Sequence, residues 1–405
     1  MDSWFKEHID YATIVVVVLL LLIGIASVYS ATYDAGASVY FSRQMTWGGI
    51  GLLLMLSIMF VPFRTLQLVS YPLYGISNII LLIVLAAGKV VAGSKSWFGV
   101  AGFGLQPSEM VKVTTILALA SYLSTRTVNV NRLKHLGIAF GIVMLPVALI
   151  LMQPDMGTAI IYMGMFIVIL YWAGASNFLL LTLIAPIAAA IATLSGATAF
   201  VIVLLLTVAI LLYLRENRLF SALVFSGTVL MGASVQYIFG RLAPHQQKRI
   251  LTFFNPDTDP LGAGYNVIQS KIAIGSGGLF GKGYLQGTQT QLNFLPAQWT
   301  DFIYCVPSEE FGFIGAFAIL ALLTILLIRG VQTASTVKSR YASIVAIGVV
   351  AAFAVHTVIN IGMAMGMMPV IGVPLPFMSY GGSNLLTNMV MAGLLLNVYA
   401  NRKEY

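Results

Sequence analysis

The sequence predicts an all-α membrane protein with a bundle of about ten to twelve transmembrane helices. Of its 405 residues, 59% are hydrophobic and only 8% are charged, whereas soluble domains carry about 25% charged residues. Apolar runs of about 18–22 residues recur along the chain, and each can cross roughly 30 Å of hydrocarbon as a helix. The runs lack the alternation of barrel strands, so helices are the expected way to pair backbone polar groups in lipid.

The apolar runs predict twelve helices when they are taken in order. The first run follows acidic residues and is too long for a signal peptide, so we expect it to remain as a membrane helix. The boundaries are least sharp between 157 and 214, where apolar sequence is almost continuous. The predicted helices lie at about 11–31, 45–62, 69–88, 108–124, 136–152, 157–173, 177–195, 197–214, 219–239, 302–328, 341–366 and 380–400.

Basic residues predict the orientation. If the N-terminus is cytoplasmic, the short outer loops carry only Arg43, Lys89 and Lys95, and most of the other Lys and Arg residues lie inside. Cytoplasmic loops of membrane proteins show this excess, so both termini are expected in the cytoplasm and the loop at about 240–301 outside. The same rule accounts for the net charge of +8 without a nucleic-acid partner. The single cysteine, Cys305, excludes an internal disulfide and a cysteine-rich metal site.

The segment 241–301 is the longest polar passage, and we expect function there. It contains Arg249, Lys271, Lys282 and a glycine run at 275–283. Glycines beside a lysine are able to form a backbone nest for phosphate, although no strand precedes them as in a nucleotide-binding fingerprint. The Asp-x-Asp pair at 257–259 suggests a metal, but acids before proline are also ordinary turn formers.

Asp301 lies where this segment returns to the membrane. It is predicted either to cap the helix at 302–328 or to act as a base on a lipid headgroup, because burial would raise its pKa into a useful range. Glu309 lies two turns deeper. It is expected to be a buried partner of a basic residue or part of a polar cavity.

Polar residues at 97–112 form another candidate group. Glu109 and Lys112 are three positions apart on one helix face, and ionisable residues inside an apolar helix are usually functional. Gln106 and Ser108 precede them at the helix start. Trp97 belongs either to an interfacial aromatic belt or to the site.

Two further segments interrupt the apolar pattern. Asp155 is expected to cap the helix that follows it or to contribute to the site. Prolines and glycines predict a broken helix near 366–383, which is tolerated at bilayer depth only where it is packed in protein or lines a cavity. Its end offers hydroxyl groups and a helix N-terminus that suit an anion; the candidates there are Ser379, Gly381, Gly382 and Ser383.

Four blocks give the chain a resemblance to the SEDS family (shape, elongation, division and sporulation proteins). They are QPSEMVK at 106–112, QPDMGTA at 153–159, the passage from NPDTDP to TDF at 255–302, and NIGMAMGMMPVIGVPLPFMSYGGSN at 360–384. The wording GTQTQLNFLP at 287–296 resembles the RodA branch, which acts in cell elongation. The resemblance implies a peptidoglycan glycosyltransferase that polymerises lipid II at the outer face of the cytoplasmic membrane. It also implies a class B penicillin-binding protein as transpeptidase partner, within the elongation machinery.

The resemblance places the family's essential acidic residue on Asp301. The implied reaction is attack of an N-acetylglucosamine 4-hydroxyl on the anomeric carbon of a lipid-pyrophosphate-linked sugar. It needs a base for the hydroxyl proton and cations for the departing pyrophosphate. The candidate cations are Lys112, Lys271, Arg249 and Lys282. No cofactor is specified, and a divalent cation stays open.

The chain departs from the family in two places, and two other functions stay open. Many members have an acid and a histidine before TDF, where this chain has Ala297 and Trp299, which leaves Asp301 as the base. Members usually have about ten helices, so an extra hairpin is expected within about 175–215 of a single membrane domain, 1–405. Broken helices and intramembrane charges also suit a lipid II flippase or transporter, and a non-catalytic scaffold for a penicillin-binding protein is the third alternative.

Overall fold

A computed structural model describes residues 8–33, 37–91, 94–100, 103–241, 247, 262, 264–292 and 294–403. Within these residues the chain forms fifteen helices and three short strands. Twelve of the helices have 17 residues or more, and they correspond to the twelve predicted from the apolar runs. Eight are long and apolar enough to cross a membrane, so the chain is a multi-pass membrane protein.

The helices are named here in chain order. Three of them are short and lie around the end of the polar segment, namely α10 (Tyr265–Ser276), α11 (Thr288–Gln291) and α12 (Cys305–Glu310). The long helices are α1 (Tyr11–Ala31), α2 (Ala37–Met59), α3 (Phe63–Ala87), α4 (Pro107–Ser124), α5 (Leu133–Leu151), α6 (Met156–Trp172), α7 (Asn177–Ser195), α8 (Ala197–Leu214), α9 (Arg218–Arg241), α13 (Gly312–Thr336), α14 (Arg340–Ala364) and α15 (Gly382–Ala400).

A small antiparallel sheet forms where the sequence predicts a loop. Its strands are β1 (Lys89–Val91), β2 (Ser94–Val100) and β3 (Phe103–Leu105), in the order β1-β2-β3. The β-branched and aromatic residues of this segment suit a pleated backbone. Trp97 is partly exposed and packs on Gly104, where a Cβ would lie 2.9 Å from its ring. The sheet ends directly before α4, so it positions the start of that helix.

The predicted helix at 302–328 is wrong in its first part. The chain makes turns before α12, and the long helix α13 begins only at Gly312. Gly312 has φ +63°, and a Cβ there would lie 2.4 Å from the backbone nitrogen of Gly281. The helix is interrupted because another segment of backbone packs directly against it.

That packing segment is the glycine run at 275–283. A Cβ on Gly281 would lie 2.0 Å from the carbonyl oxygen of Glu310. The backbone N–H of Lys282 donates to the carbonyl of Glu309 (3.1 Å), and that of Gly283 donates to Glu310 (2.9 Å). These N–H groups hold two parts of the protein together, so they do not form the phosphate nest that the sequence suggests.

The chain forms two compact units, Met1–Trp172 with Gln269–Tyr405, and Ala173–Ile268. In the first unit, α14 and α15 are buried along almost their whole length. Helix α2 packs closely on α15, since a Cβ on Gly393 would lie 2.7 Å from the carbonyl of Met55. The second unit contains α7, α8 and α9, of which α7 and α8 lie within the range of the predicted extra hairpin.

The segment between α14 and α15 interrupts the helical pattern, as its prolines and glycines predict. Positive φ angles occur at Gly366, Gly372, Phe377 and Gly381. Most side chains from 373 to 379 are nevertheless buried. The broken helix is therefore packed within protein, as irregular backbone at membrane depth requires.

Candidate functional site

Asp301 lies in a turn, partly exposed, and is held through its backbone. Its carbonyl oxygen accepts a hydrogen bond from the Asn360 Nδ2 group at 2.8 Å, and the same amide donates to the carbonyl of Val373 at 2.7 Å. A Cβ on Gly372 would lie 3.5 Å from Asp301 Oδ2, so the broken segment runs beside the carboxylate. The predicted cap is wrong, because the next helix starts four positions later, at Cys305.

The residues before Asp301 are fixed by the end of the broken segment. The Ser379 hydroxyl donates to the carbonyl of Thr300 at 2.6 Å and accepts from the Leu375 N–H at 2.8 Å. The Tyr380 N–H donates to the carbonyl of Trp299 at 2.9 Å. Hydrogen bonds therefore hold residues 299–301 from two sides. All of these bonds are made to backbone carbonyls, so they do not occupy the Asp301 carboxylate.

The environment of the Asp301 carboxylate favours basicity. Burial raises the pKa of Asp301, and the hydrogen bond with Thr300 opposes that rise only in part. Across the described part of the chain, no lysine or arginine forms an ion pair with it. A carboxylate that is partly desolvated and has no counter-ion binds a proton more strongly than one in water.

Glu109 and Lys112 form a buried ion pair inside α4, which confirms that they share a helix face. Lys112 Nζ lies 3.0 Å from Glu109 Oε2, and the two side chains are 0% and 3% exposed. Lys112 Nζ also lies 2.7 Å from Nε2 of His356, on α14. Sequence reasoning missed His356, although a histidine inside an apolar helix is itself a signal of function.

Hydrogen bonds also join the starts of α4, α6 and α15. Gln106 Nε2 donates to Asp155 Oδ2 at 2.9 Å, and the Gln106 backbone N–H donates to the Ser383 hydroxyl at 2.9 Å. Asp155 Oδ1 accepts from the backbone N–H of Thr158 at 3.1 Å. The predicted cap of α6 is confirmed, and the same carboxylate holds Gln106.

The remaining candidates near these helix starts are tightly packed. Ser108 is fully buried. The Gly381 N–H lies 3.5 Å from Gln44 Oε1, and a Cβ on Gly382 would lie 2.7 Å from the ring of Trp47. Gly382 therefore lets α2 approach the start of α15 closely, and the Gly381 N–H contacts the same helix.

Lys282 and Glu309 form a second ion pair, which confirms the predicted basic partner for Glu309. Lys282 Nζ lies 2.8 Å from Glu309 Oε1 and also donates to the hydroxyl groups of Ser276 and Thr288. Burial alone would raise the pKa of Glu309, but hydrogen bonds from the Gln289 N–H and from Lys282 lower it below its ordinary value. All three ammonium protons of Lys282 are thus engaged inside the protein.

The other predicted cations differ in their placement. Lys271 is exposed on α10. The hydroxyl of the adjacent Ser270 donates to the carbonyl of Ala364 at 2.9 Å, one turn along α14 from Asn360. Arg249 and the Asp-x-Asp pair at 257–259 lie outside the described residues. Within the ranges that the structure covers, no three His, Cys, Asp or Glu side chains are grouped to hold a metal ion.

Comparisons with known proteins relate almost the whole chain to one family. The family model FTSW_RODA_SPOVE, "Cell cycle protein", matches residues 9–200 and 195–404. "Peptidoglycan glycosyltransferase RodA" of Treponema pallidum is 35% identical over 97% of this chain and 98% of its own length. "Stage V sporulation protein E" of Bacillus subtilis is 38% identical, covering 97% of each. "Peptidoglycan glycosyltransferase MrdB" of Escherichia coli is 33% identical over 99% and 96%.

Solved structures have the same fold. A chain from "Structural coordination of polymerization and crosslinking by a peptidoglycan synthase complex" is 29% identical, with a TM-score of 0.75 over 98% of this chain and 99% of that one. The crystal structure of Thermus thermophilus "Rod shape determining protein RodA" is 25% identical, with a TM-score of 0.64 over 98% of both chains. Since the family model and these relatives cover nearly its full length, this chain belongs to the FtsW/RodA/SpoVE family of cell cycle proteins.

Proposed function

We propose that this chain is a peptidoglycan glycosyltransferase that polymerises lipid II during cell elongation. The relatives named RodA and MrdB, at 35% and 33% identity, support this activity. The observation that carries it is the Asp301 carboxylate, which is partly exposed, has a pKa raised by burial, and stands on a backbone fixed by Asn360 and Ser379. These are the properties of a positioned general base.

Asp301 acts on the sugar hydroxyl that attacks. The carboxylate takes the proton of an N-acetylglucosamine 4-hydroxyl. At the same time, the oxygen of that hydroxyl bonds to the anomeric carbon of the donor sugar. The bond from that carbon to the pyrophosphate oxygen breaks, and the lipid pyrophosphate leaves with the electron pair. The raised pKa makes Asp301 a stronger base than an exposed aspartate, provided that it is ionised at the working pH.

The departing pyrophosphate needs positive charge, and Lys271 is the best placed of the described candidates. It is exposed, and its helix docks one turn from the residue that holds Asp301. Lys282 has its three protons engaged by protein oxygens. Lys112 is 0% exposed, so its charge acts from within the protein and not by contact with substrate.

The orientation follows the distribution of basic residues. Both termini lie in the cytoplasm and the segment 241–301 lies outside, where Asp301 meets substrate at the outer membrane surface. The likeness to a chain of a peptidoglycan synthase complex supports a class B penicillin-binding protein as the transpeptidase partner.

Depletion of this protein from cells tests its role in elongation. Loss of rod shape is the result expected for an elongation enzyme, whereas a defect confined to sporulation would contradict that role.

Polymerisation in detergent micelles tests the activity against transport. The purified chain is mixed with lipid II, and products are separated by gel electrophoresis before and after muramidase digestion. Micelles have no second compartment, so a transporter forms no polymer there, whereas the proposed enzyme forms glycan strands. Absence of polymer from protein with intact helical content, with and without the transpeptidase partner, would contradict the proposal and favour a transporter or scaffold.

A further inference from the structure

His356 joins two parts of the site and is fully buried, with 0% of its surface exposed. Its ring nitrogen Nε2 lies 2.7 Å from Lys112 Nζ. The other ring nitrogen, Nδ1, lies 3.0 Å from the carbonyl oxygen of Pro374. Both ring nitrogens therefore have a hydrogen-bond partner. The partner of Nε2 lies on α4, and the partner of Nδ1 lies on the broken segment.

The chemistry of its two partners determines the protonation of His356. A carbonyl oxygen only accepts, so Nδ1 carries the hydrogen, and an ammonium group only donates, so Nε2 presents a lone pair. The Lys112 ammonium also donates to Glu109 Oε2 at 3.0 Å, so it faces an acceptor on each side. The ring is therefore neutral, with its hydrogen on Nδ1.

The same turn that His356 binds also adjoins Asp301. Pro374 follows Val373, whose carbonyl accepts from Asn360, and Asn360 also holds the Asp301 carbonyl. His356 and Asn360 are four residues apart, so they lie on one face of α14. That face of α14 binds the turn at 373–374 through both residues. His356 connects this turn to Lys112, and Asn360 connects it to Asp301.

We propose that His356 is a positioning residue for the transfer reaction. Its Nδ1–H fixes the turn beside Asp301, and its Nε2 keeps the Lys112 ammonium in place. His356 contacts no substrate and moves no proton. Lys112 lies on α4 and Pro374 lies on the broken segment, so each hydrogen bond holds a different element and both are required for positioning. The inference rests on the proposed function, in which Asp301 is the base.

Asparagine and glutamine separate the two hydrogen bonds. The amide nitrogen of asparagine reaches the Nδ1 position, so His356→Asn keeps the donor to Pro374 and loses the acceptor for Lys112. The amide oxygen of glutamine reaches the Nε2 position, so His356→Gln does the reverse. With lipid II in micelles, we expect each variant to lower kcat about tenfold or more, equivalent to ~1.4 kcal/mol, while KM changes less than about twofold.

Asn397→Ala is the matched control. Asn397 is also fully buried, and its amide donates to backbone carbonyls, those of Ile58, Met59 and Val61, towards the C-terminal end of α15. Its loss should lower the thermal midpoint and leave kcat unchanged. Wild-type kcat in either His356 variant, with Asp301→Asn inactive, would overturn this inference and leave the proposed function standing. An active Asp301→Asn would overturn the proposed function instead.

A second measurement does not depend on replacing His356. The chain has four histidines, and ¹⁵N-histidine labelling of a variant with His8, His135 and His245 changed to glutamine leaves only the two ring-nitrogen signals of His356. We expect NMR to show a neutral ring with its hydrogen on Nδ1. A charged ring, or a hydrogen on Nε2, would overturn the proposal.

Discussion

Glu309 stabilises the folded loop that precedes Asp301, and Glu309→Gln tests this role. The side chain is 0% exposed, and its oxygens accept from Lys282 Nζ (2.8 Å), the Gln289 N–H (2.9 Å) and the Thr290 N–H (3.0 Å). Glutamine keeps the shape of the side chain but removes its charge. One carboxylate oxygen becomes an NH₂ group, which faces a donor that it cannot satisfy.

The expected cost follows from these three hydrogen bonds. A hydrogen bond to a charged group contributes about 1 kcal/mol more than a neutral one, so three of them give roughly 3 kcal/mol. Where amide exchange occurs through local opening, this free energy corresponds to about 150-fold faster exchange. Lys282→Met should have a smaller effect, because the two backbone donors still satisfy the carboxylate and the lysine is 25% exposed.

Hydrogen exchange with mass spectrometry measures this opening directly. Peptides that cover 287–292 should lose protection in Glu309→Gln, while a peptide from α14 serves as the internal control. The lowered pKa of Glu309 adds a pH test. Its stabilisation is complete above the unfolded-state pKa and is lost as pH falls through the folded-state pKa, so acidification should reduce the protection of the wild type and not of the variant.

Two results would exclude this local role of Glu309. Unchanged protection at 287–292 in Glu309→Gln would mean that the charge does not stabilise the loop. Equal loss of protection in the α14 peptide would mean that the substitution destabilises the whole unit.

Three further predictions test other contacts. Gly281→Ala should lower the thermal midpoint, because φ is +80° and its Cβ would lie 2.0 Å from a carbonyl oxygen, whereas Gly275→Ala, with open space around it, should not. Asn360→Ala should reduce polymerisation at least tenfold, because the buried carbonyl of Val373 and the partly exposed carbonyl of Asp301 lose their donor, at a cost of about 1–3 kcal/mol; wild-type activity would exclude this role. Lys271→Gln should raise KM for lipid II several-fold without changing the thermal midpoint, and an unchanged KM would remove Lys271 from the pyrophosphate site.

Most of the helical fold follows from local sequence. The bounds of α7 and α8 agree with prediction because polar and small residues at 176 and 195–196 interrupt a continuous apolar run. The helix predicted at 302–328 fails for a non-local reason. Its break at Gly312 arises from close packing of a glycine run that lies about thirty residues earlier, and apolar periodicity carries no record of such a contact.

The candidate site also combines contacts that are local in sequence with contacts that are not. Glu109 and Lys112 are three positions apart, so their pairing is a local property of one helix. The contact of Lys112 with His356 joins residues 244 positions apart, and that of Asn360 with Asp301 joins residues 59 apart. Asp301 is distinguished by its motif and not by its position, because a carboxylate where a loop enters the membrane is equally typical of a helix cap.

Polymer yield and thermal midpoint of Asp301→Asn, measured together at neutral pH, test whether the Asp301 carboxylate is the general base. We expect a loss of about 10²–10⁴-fold in lipid II polymerisation, the usual contribution of a general base. Because burial raises the folded-state pKa of Asp301, the ionised carboxylate lowers stability above its unfolded-state pKa, so the neutral amide should give an equal or higher midpoint. Polymer yield at the wild-type level from folded Asp301→Asn protein would exclude Asp301 as the base.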